Sequence, residues 1–454
     1  MIVMKFGGTS VEDAAAMRNV ASIGRARIVR RPLVVASACA GVTNALLALA
    51  RSARDAGREK ALDRVEELRV RHRQIAHALF TGEVLFTVQS QVDALMDSLR
   101  DLVKSIAILG ELTDRSLDTF AGYGERLSTL LLTHLMKQEG IPCVFVDAQE
   151  VMITTAEFTH ALPVAAEIER RARERIAPRL EAAQAVITQG FVGATAGGVP
   201  TTIGRGGSDY SAALFGAALD AEEIQIWTDV DGVMTSDPSV IPEARVIPAM
   251  TFREAAELAY FGAKVLHPAT ILPAVKKNIP VRVLNSRRSD LPGTVIVAQE
   301  ANRAGGVVTS IAYKEGITLI TITSSRMLMM HGFLARVFAV FAEYGTSVDV
   351  IATSEVSLSL TVDSRTHLDA IFNDLRQIAD VEAEHDKAIF CVVGEGLKTS
   401  RGVVTRVFAT LDEAGIGVSM ISLGASEINV TFVLDGRDIR AAAQALHGAF
   451  FPSP

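Results

Sequence analysis

Short apolar runs that end in glycines, hydroxyls or acids, and then pass into helical patterns, constrain this chain more than any other feature. Met1-Ile2-Val3-Met4 leads into Lys5-Phe6-Gly7-Gly8-Thr9-Ser10. Leu33-Val34-Val35-Ala36-Ser37 leads into Ala38-Cys39-Ala40-Gly41-Val42-Thr43-Asn44 and a helix from Ala45. Ile224-Gln225-Ile226-Trp227 leads into Thr228-Asp229-Val230-Asp231-Gly232. Cys143–Val146, Ala185–Thr188 and Val281–Leu284 are further β-branched runs, and Arg58–Phe80 and Val84–Ile108 carry apolar residues at three-to-four spacing. Strands alternating with helices predict an α/β fold with a mainly parallel sheet sandwiched by helices. In such sheets ligands gather at the strand C-termini, where these polar segments fall.

The segments share one chemistry. Gly7 and Gly8 let backbone N–H groups approach an anion closely, and Lys5 adds a full positive charge beside them. Thr9 and Ser10 are expected to cap a helix from Val11. In Thr201-Thr202-Ile203-Gly204-Arg205-Gly206-Gly207-Ser208-Asp209, Arg205 offers a fork of donors for a carboxylate or phosphate, Ser208 is placed to cap a helix from Tyr210, and Asp209 suits magnesium or a lysine. Glu125, on an expected tight turn in Gly122–Ser128, suits an ammonium or merely a helix cap. Thr228 and Asp229 suit ribose hydroxyls, a metal or a plain Asp-Gly turn; Lys264 suits a phosphate or water. Phosphoryl transfer asks a protein for charge neutralisation and alignment rather than covalent help. A carboxylate nucleophile, with a pKa of roughly 4, is already ionised and needs no general base. That fits a chain without an obvious His-centred dyad.

The C-terminal third repeats at an offset of 70 residues: Gly332, Arg336-Val337-Phe338-Ala339, Glu343 and Gly345 return as Gly402, Arg406-Val407-Phe408-Ala409, Glu413 and Gly415. Each copy reads as a ferredoxin-like βαββαβ unit. The polar stretch 299–306 is the expected linker. The divisions expected are residues 1–298, 307–385 and 386–454. A formal net charge of −7 argues against nucleic acid as partner. Cys39, Cys143 and Cys391 are odd in number and far apart, which points to a reducing cytoplasm. Lys5 and two glycines interrupt any apolar signal core, and 33–50 is too broken by Ser37, Gly41, Thr43 and Asn44 to span a membrane, so neither export nor a membrane partner is expected.

Together, Lys5–Ser10, Gly204–Asp209, Thr228–Gly232 and Phe261–Pro268 resemble aspartate kinase, an amino-acid kinase carrying two C-terminal ACT domains. The resemblance covers essentially the whole chain. It implies transfer of the ATP γ-phosphate to the β-carboxylate of L-aspartate, giving 4-phospho-L-aspartate at the entry to lysine, threonine and methionine synthesis. It implies catalytic roles for Lys5, Arg205 and Asp209. It puts Thr43, Glu125, Arg205, Ser208 and Asp209 around aspartate, with Arg205 on the α-carboxylate and Glu125 on the α-ammonium. It puts Lys5, Gly7, Gly8, Thr228, Asp229, Met234 and Lys264 around ATP, whose Mg2+ is bound mainly through the phosphates. Met234 and Ser239 stand where the family often has tyrosine and arginine. Met327, Met330, Gly332, Phe333, Leu334, Ser347, Val348, Asp349, Ser354 and Glu355 resemble the effector pocket of lysine-inhibited members, with Met330 where a small polar residue is usual. Asp349 or Glu355 would meet the effector's ammonium. Lysine is the expected effector, threonine the alternative, and a homo-oligomer of at least a dimer is expected through the ACT units.

Overall fold

The computed structural model describes residues 1–452 except 56, 183, 205, 262–267, 300–306, 325–330, 398 and 424–426. The chain divides into two compact units. The first is built from 1–233, 248–252 and 265–299, and the second from 234–247, 253–264 and 300–454.

The first unit is organised on Ile2–Phe6 (β1), Pro32–Ala36 (β2), Cys143–Phe145 (β3), Ala185–Gln189 (β4), Glu223–Thr228 (β5), Ala249–Thr251 (β6), Val281–Asn285 (β7) and Thr294–Val297 (β8). They form one eight-stranded sheet in the order β3-β4-β2-β1-β5-β7-β8-β6, parallel throughout except for the β7–β8 pair. Strand β1 lies between β2 and β5, with Lys5 opposite Val35 and Ile226. Its residues are buried apart from Lys5, as a strand covered on both faces requires. The main helices are Ala14–Ala26 (α1), Val42–Asp55 (α2), Arg58–Leu79 (α3), Gly82–Leu109 (α4), Asp114–Ala121 (α5), Tyr123–Gln138 (α6), Ala165–Arg175 (α7) and Gly207–Ala218 (α8). Apolar residues of β1, β2, α1–α4 and α6 make one core, including Ile2, Met4, Leu46, Val65, Met96 and Leu131. In the α3–α4 hairpin the largely buried Arg69 is held by Glu66, Asp93 and Asp97 at 3.1, 3.3 and 2.7 Å, so that its charge is matched from three sides.

Two expected caps are corrected. Asp13, not Thr9 or Ser10, caps α1, accepting from the Ala16 N–H at 2.8 Å. Ser10 instead donates to Ser286 Oγ at 2.8 Å, and Ser286 donates to the Thr228 carbonyl at 3.1 Å, tying together the ends of β1, β5 and β7. Gly206, not Ser208, is the N-cap of α8, and Ser208 sits inside the first turn. Both serines are drawn away by tertiary partners or by a helix that starts a few residues from where local pattern puts it.

The second unit carries the repeat as Ser310–Thr323 (β9), Ile351–Thr353 (β10), Ser357–Val362 (β11), Asp380–Val393 (β12), Val418–Ser422 (β13) and Asn429–Asp435 (β14). It also holds most of Phe252–Tyr260 (α9), with Phe333–Glu343 (α10), Leu368–Leu375 (α11), Val403–Glu413 (α12) and Ile439–Phe450 (α13). The six strands run in the order β10-β11-β9-β12-β14-β13, antiparallel throughout. The 14-residue strands β9 and β12 each serve both copies. Ile320 and Ile322 of β9 pack with Phe333, Val337 and Ile371, whereas Ile311 of the same strand packs with Phe390, Val407 and Leu446. The copies therefore interlock through their first strands and are not beads on a string. No helix among the described residues is long and apolar enough to cross a membrane.

Candidate active site

At the C-terminal edge of the first unit's sheet is a cavity of about 1020 Å³ lined by Lys5, Gly8, Thr43, Glu125, Ser208 and Asp209 among others. Six of the expected site residues, spread over two hundred positions, thus reach one space. Lys5 is the penultimate residue of β1 and Asp209 lies in the first turn of α8; Lys5 Nζ is 2.7 Å from Asp209 Oδ1, with the side chains only 12% and 16% exposed. Asp209 orients the ammonium, while the α8 N-terminus supplies partial positive charge nearby.

Close approach of backbones builds the floor. Phe6 and Gly8 carbonyls accept from Ser37 and Ala40 N–H groups, each at 3.1 Å. A Cβ on Gly8 would stand 3.1 Å from the Ala38 carbonyl oxygen. On the other side, a Cβ on Gly124 would stand 2.6 Å from the Ala38 Cβ. The 38–40 loop is therefore clamped between two glycines. Gly124→Ala is expected to gain up to ~1 kcal/mol of helix propensity but to lose ~1–3 kcal/mol to overpacking. The net outcome is a lower urea midpoint together with weaker substrate affinity; an unchanged midpoint would show that the loop yields freely.

Glu125 is not on a turn ahead of a helix; it lies in the first turn of α6 and is 2% exposed. One carboxyl oxygen accepts from the Ala38 N–H at 3.2 Å, and the other, Oε2, has no hydrogen-bond partner among the described residues. Burial pushes its carboxyl up to about 8, against the weaker pull of the Ala38 bond. A buried carboxyl with an idle oxygen, on the wall of a polar cavity, is suited to receive a cationic group.

Asp118 was not legible as a site residue. In the middle of α5 it accepts from Thr202 Oγ1 at 2.6 Å, from the Thr202 N–H at 3.0 Å and from the Thr159 N–H at 2.9 Å, and burial raises its pKa against these bonds. It fixes two loops that line the cavity; its only sequence signal was an acid on an amphipathic helix. Thr228 and Asp229 do not line this cavity. Thr228 ends β5, the strand beside β1, and Asp229 follows it, next to where the Gly7 N–H donates to the Trp227 carbonyl at 3.0 Å. Asn285 donates to Asp231 Oδ1 at 2.6 Å and holds the loop that follows. Met234 belongs to the second unit, bridged antiparallel to Val246. Arg205, Lys264, Met327 and Met330 lie outside the described residues.

In the second unit Gly332, at φ 79°, is the N-cap of α10. Phe333 is buried in the core and Leu334 is exposed. Ser347, Ser354 and Glu355 are exposed, and Val348 packs at the core margin. The Asp349 side chain is only 4% exposed and already occupied: Lys314 Nζ lies 3.3 Å from it and Tyr260 Oη donates to it at 2.6 Å. Lys314 also pairs with Asp363 at 2.8 Å.

Residues 1–285 match the model of the amino acid kinase family, and residues 390–450 that of an ACT domain. The chain belongs to the amino acid kinase family and is a phosphotransferase with C-terminal ACT regions. Lysine-sensitive aspartokinase 3 of Escherichia coli is 37% identical over 99% of both chains, and chloroplastic aspartokinase 2 of Arabidopsis thaliana is 38% identical over 99% of this chain and 84% of its own. The solved structure of E. coli aspartokinase III with lysine and aspartate (T-state) superposes with a TM-score of 0.84 at 37% identity, covering 99% of each chain. The form with aspartate and ADP (R-state) gives 0.81 at 36%, covering 99% of this chain and all of that one. Within the amino acid kinases, these full-length matches place the chain in the aspartokinase family.

Proposed function

We propose that the chain transfers the γ-phosphate of ATP to the β-carboxylate of L-aspartate, yielding 4-phospho-L-aspartate and ADP, the first step towards lysine, threonine and methionine. The observation that carries this is the joint presence, in one cavity, of the Lys5–Asp209 ion pair and the buried Glu125 carboxyl. A carboxylate oxygen of aspartate forms the new O–P bond, and the bond from the γ-phosphorus to its bridging oxygen breaks with its electrons leaving on ADP. No proton needs to move at the nucleophile. Lys5 neutralises charge on the phosphoryl group in flight. Glu125 takes the α-ammonium, Thr43 and Ser208 offer hydroxyls to aspartate, and Arg205 takes its α-carboxylate. Gly7, Gly8, Thr228 and Asp229 serve the nucleotide. Mg2+ would arrive on the phosphates and screen their charge; the oxygen donors of Thr228 and Asp229 suit a hard cation. A steady-state ADP-release assay with MgATP tests the reading: turnover with aspartate and not with glutamate supports it, and the reverse preference ends it.

The catalytic division at 1–298, the ACT divisions at 307–385 and 386–454, a cytoplasmic location and a dimer formed through the ACT units belong to the same reading. So does feedback by lysine, supported by the lysine-sensitive relative. The effector's carboxylate would meet the α10 N-terminus from Gly332 to Leu334, and its ammonium would meet Asp349. Because Lys314 already neutralises Asp349, effector and Lys314 compete for one carboxylate. Asp349→Ala should raise the lysine concentration for half-inhibition at least ~10-fold, the loss of a charged hydrogen bond, and Lys314→Met should lower it by ~10-fold or less. Unchanged inhibition curves for both would remove Asp349 from the pocket.

A further inference from the structure

A second cavity of about 570 Å³ lies in the first unit between α4, α6 and the edge strand β3, lined by none of the residues given a catalytic role above. Its walls are apolar: Ala94 and Leu95 from α4, Leu130 from α6 and Phe145 from β3. Ala94 is exposed and Phe145 is 39% exposed, so the space is open to solvent.

Its polar groups fall into two sets. Some are satisfied by the protein: His134 Nε2 lies 2.9 Å from Gln91 Oε1 and Ser98 Oγ lies 2.7 Å from Tyr123 Oη, while Asp147, whose Oδ1 accepts from the Gln149 N–H at 3.0 Å, keeps its negative charge. The others are not. Arg126 has its guanidinium over the Tyr123 ring, 5.0 Å from the centroid, and neither it nor Lys137 has a carboxylate within ion-pair distance among the described residues. Thr133 is 6% exposed, yet its hydroxyl has no hydrogen-bond partner among the described residues. Buried hydroxyls are seldom left idle, and the half-buried Arg126 attracts an anion more strongly than a cation in water would, with the exposed Lys137 adding a solvated charge at the rim.

We propose that this cavity is a second small-molecule site, taking a ligand with an apolar body and one anionic group. The anion meets Arg126 and Lys137, and the Thr133 hydroxyl donates to it or to the body's polar edge. The lining positions 126, 130, 133, 134 and 137 share one face of α6, and Glu125, the residue before Arg126, lines the other cavity. Thr129 lines the second cavity, and its hydroxyl donates to the Glu125 carbonyl at 2.6 Å. A ligand there loads the helix that sets Glu125, so its effect on aspartate affinity, unlike its binding, rests on the function proposed above.

The test uses 1-anilinonaphthalene-8-sulfonate, an amphipathic anion, and N-phenyl-1-naphthylamine, its uncharged counterpart, titrated into the full chain by fluorescence. One saturable sulfonate-probe site per chain is expected. Ala94→Trp, at an exposed position, should fill the cavity and abolish binding of both probes. Arg126→Gln with Lys137→Gln should weaken the sulfonate probe about 10-fold, the loss of a charge-assisted contact, and leave the neutral probe unaltered. Binding unchanged by Ala94→Trp, or equal loss of both probes in the charge variant, overturns the proposal. So does a shift in sedimentation on Ala94→Trp, which would mean that a second copy of the chain covers this face. None of these readouts involves aspartate turnover, so failure here and failure of the proposed reaction are separable.

Discussion

Lys5→Ala is expected to lower kcat by ~10²–10³-fold while the circular dichroism spectrum stays that of the parent protein, the size of effect seen when one preorganised donor to developing charge is removed. The loss has two parts. The phosphoryl group in transfer loses a cation, and Asp209, 2.7 Å from Lys5 and only 16% exposed, is left as an unmatched negative charge facing the same phosphate. The fold should survive because Lys5 is the one residue of β1 that is not fully buried, and the strand's apolar neighbours are untouched. Asp209→Asn should therefore cost less than Lys5→Ala, since it removes the orienting carboxylate but keeps the cation. ADP release at saturating aspartate and ATP measures both. Activity of Lys5→Ala within a few-fold of the parent would take that lysine out of the mechanism.

Glu125→Gln is expected to raise the KM for aspartate by ~10–100-fold, the worth of a charged hydrogen bond in a buried setting, and to flatten its pH dependence. The sign follows from burial. In the unliganded protein the carboxyl titrates at about 8, so near neutrality it is mostly protonated. An α-ammonium binds the carboxylate and expels that proton, so aspartate affinity should improve as pH rises towards 8, by at most ~10-fold per pH unit, and level off above it. Stability runs the other way. The folded protein holds this proton more tightly than the unfolded chain, so the contribution is fully present below about 4.5 and is lost as pH rises through about 8. The parent protein should thus melt progressively lower than Glu125→Gln between those limits. A KM for aspartate that is flat with pH in the parent protein would show that Glu125 does not receive the substrate's ammonium.

The strand runs were readable because burial on both faces of a parallel sheet forces continuous apolar sequence, as in Ile2–Phe6 and Pro32–Ala36. The repeat was readable for a similar reason: β9 and β12 begin 70 residues apart and carry equivalent cores. The interlock of the copies was not, because nothing local says that Ile311 and Ile320, nine residues apart on one strand, will join different cores. Ser10 and Ser208 misled because a hydroxyl ahead of a helix reads as a cap until a partner more than two hundred residues away, such as Ser286 for Ser10, claims it or the helix starts earlier. Asp118 and Lys314 gave no signal, since an acid on a helix and a lysine on a strand are ordinary until their partners are known.

What the amino-acid sequence determined alone is the chemistry available at each strand end: glycines for close approach, Lys5 and Arg205 for anions, Glu125 and Asp209 for cations. These follow from residue type and from the local alternation of strand and helix. What the tertiary structure decided is which of them meet and in what state of charge. Parallel pairing of β1 between β2 and β5 brings Lys5 to Asp209, and the clamp of Gly124 on Ala38 buries Glu125 deeply enough to hold its proton at neutral pH. Desolvation and distance are properties of the packed chain, and no local stretch encodes either.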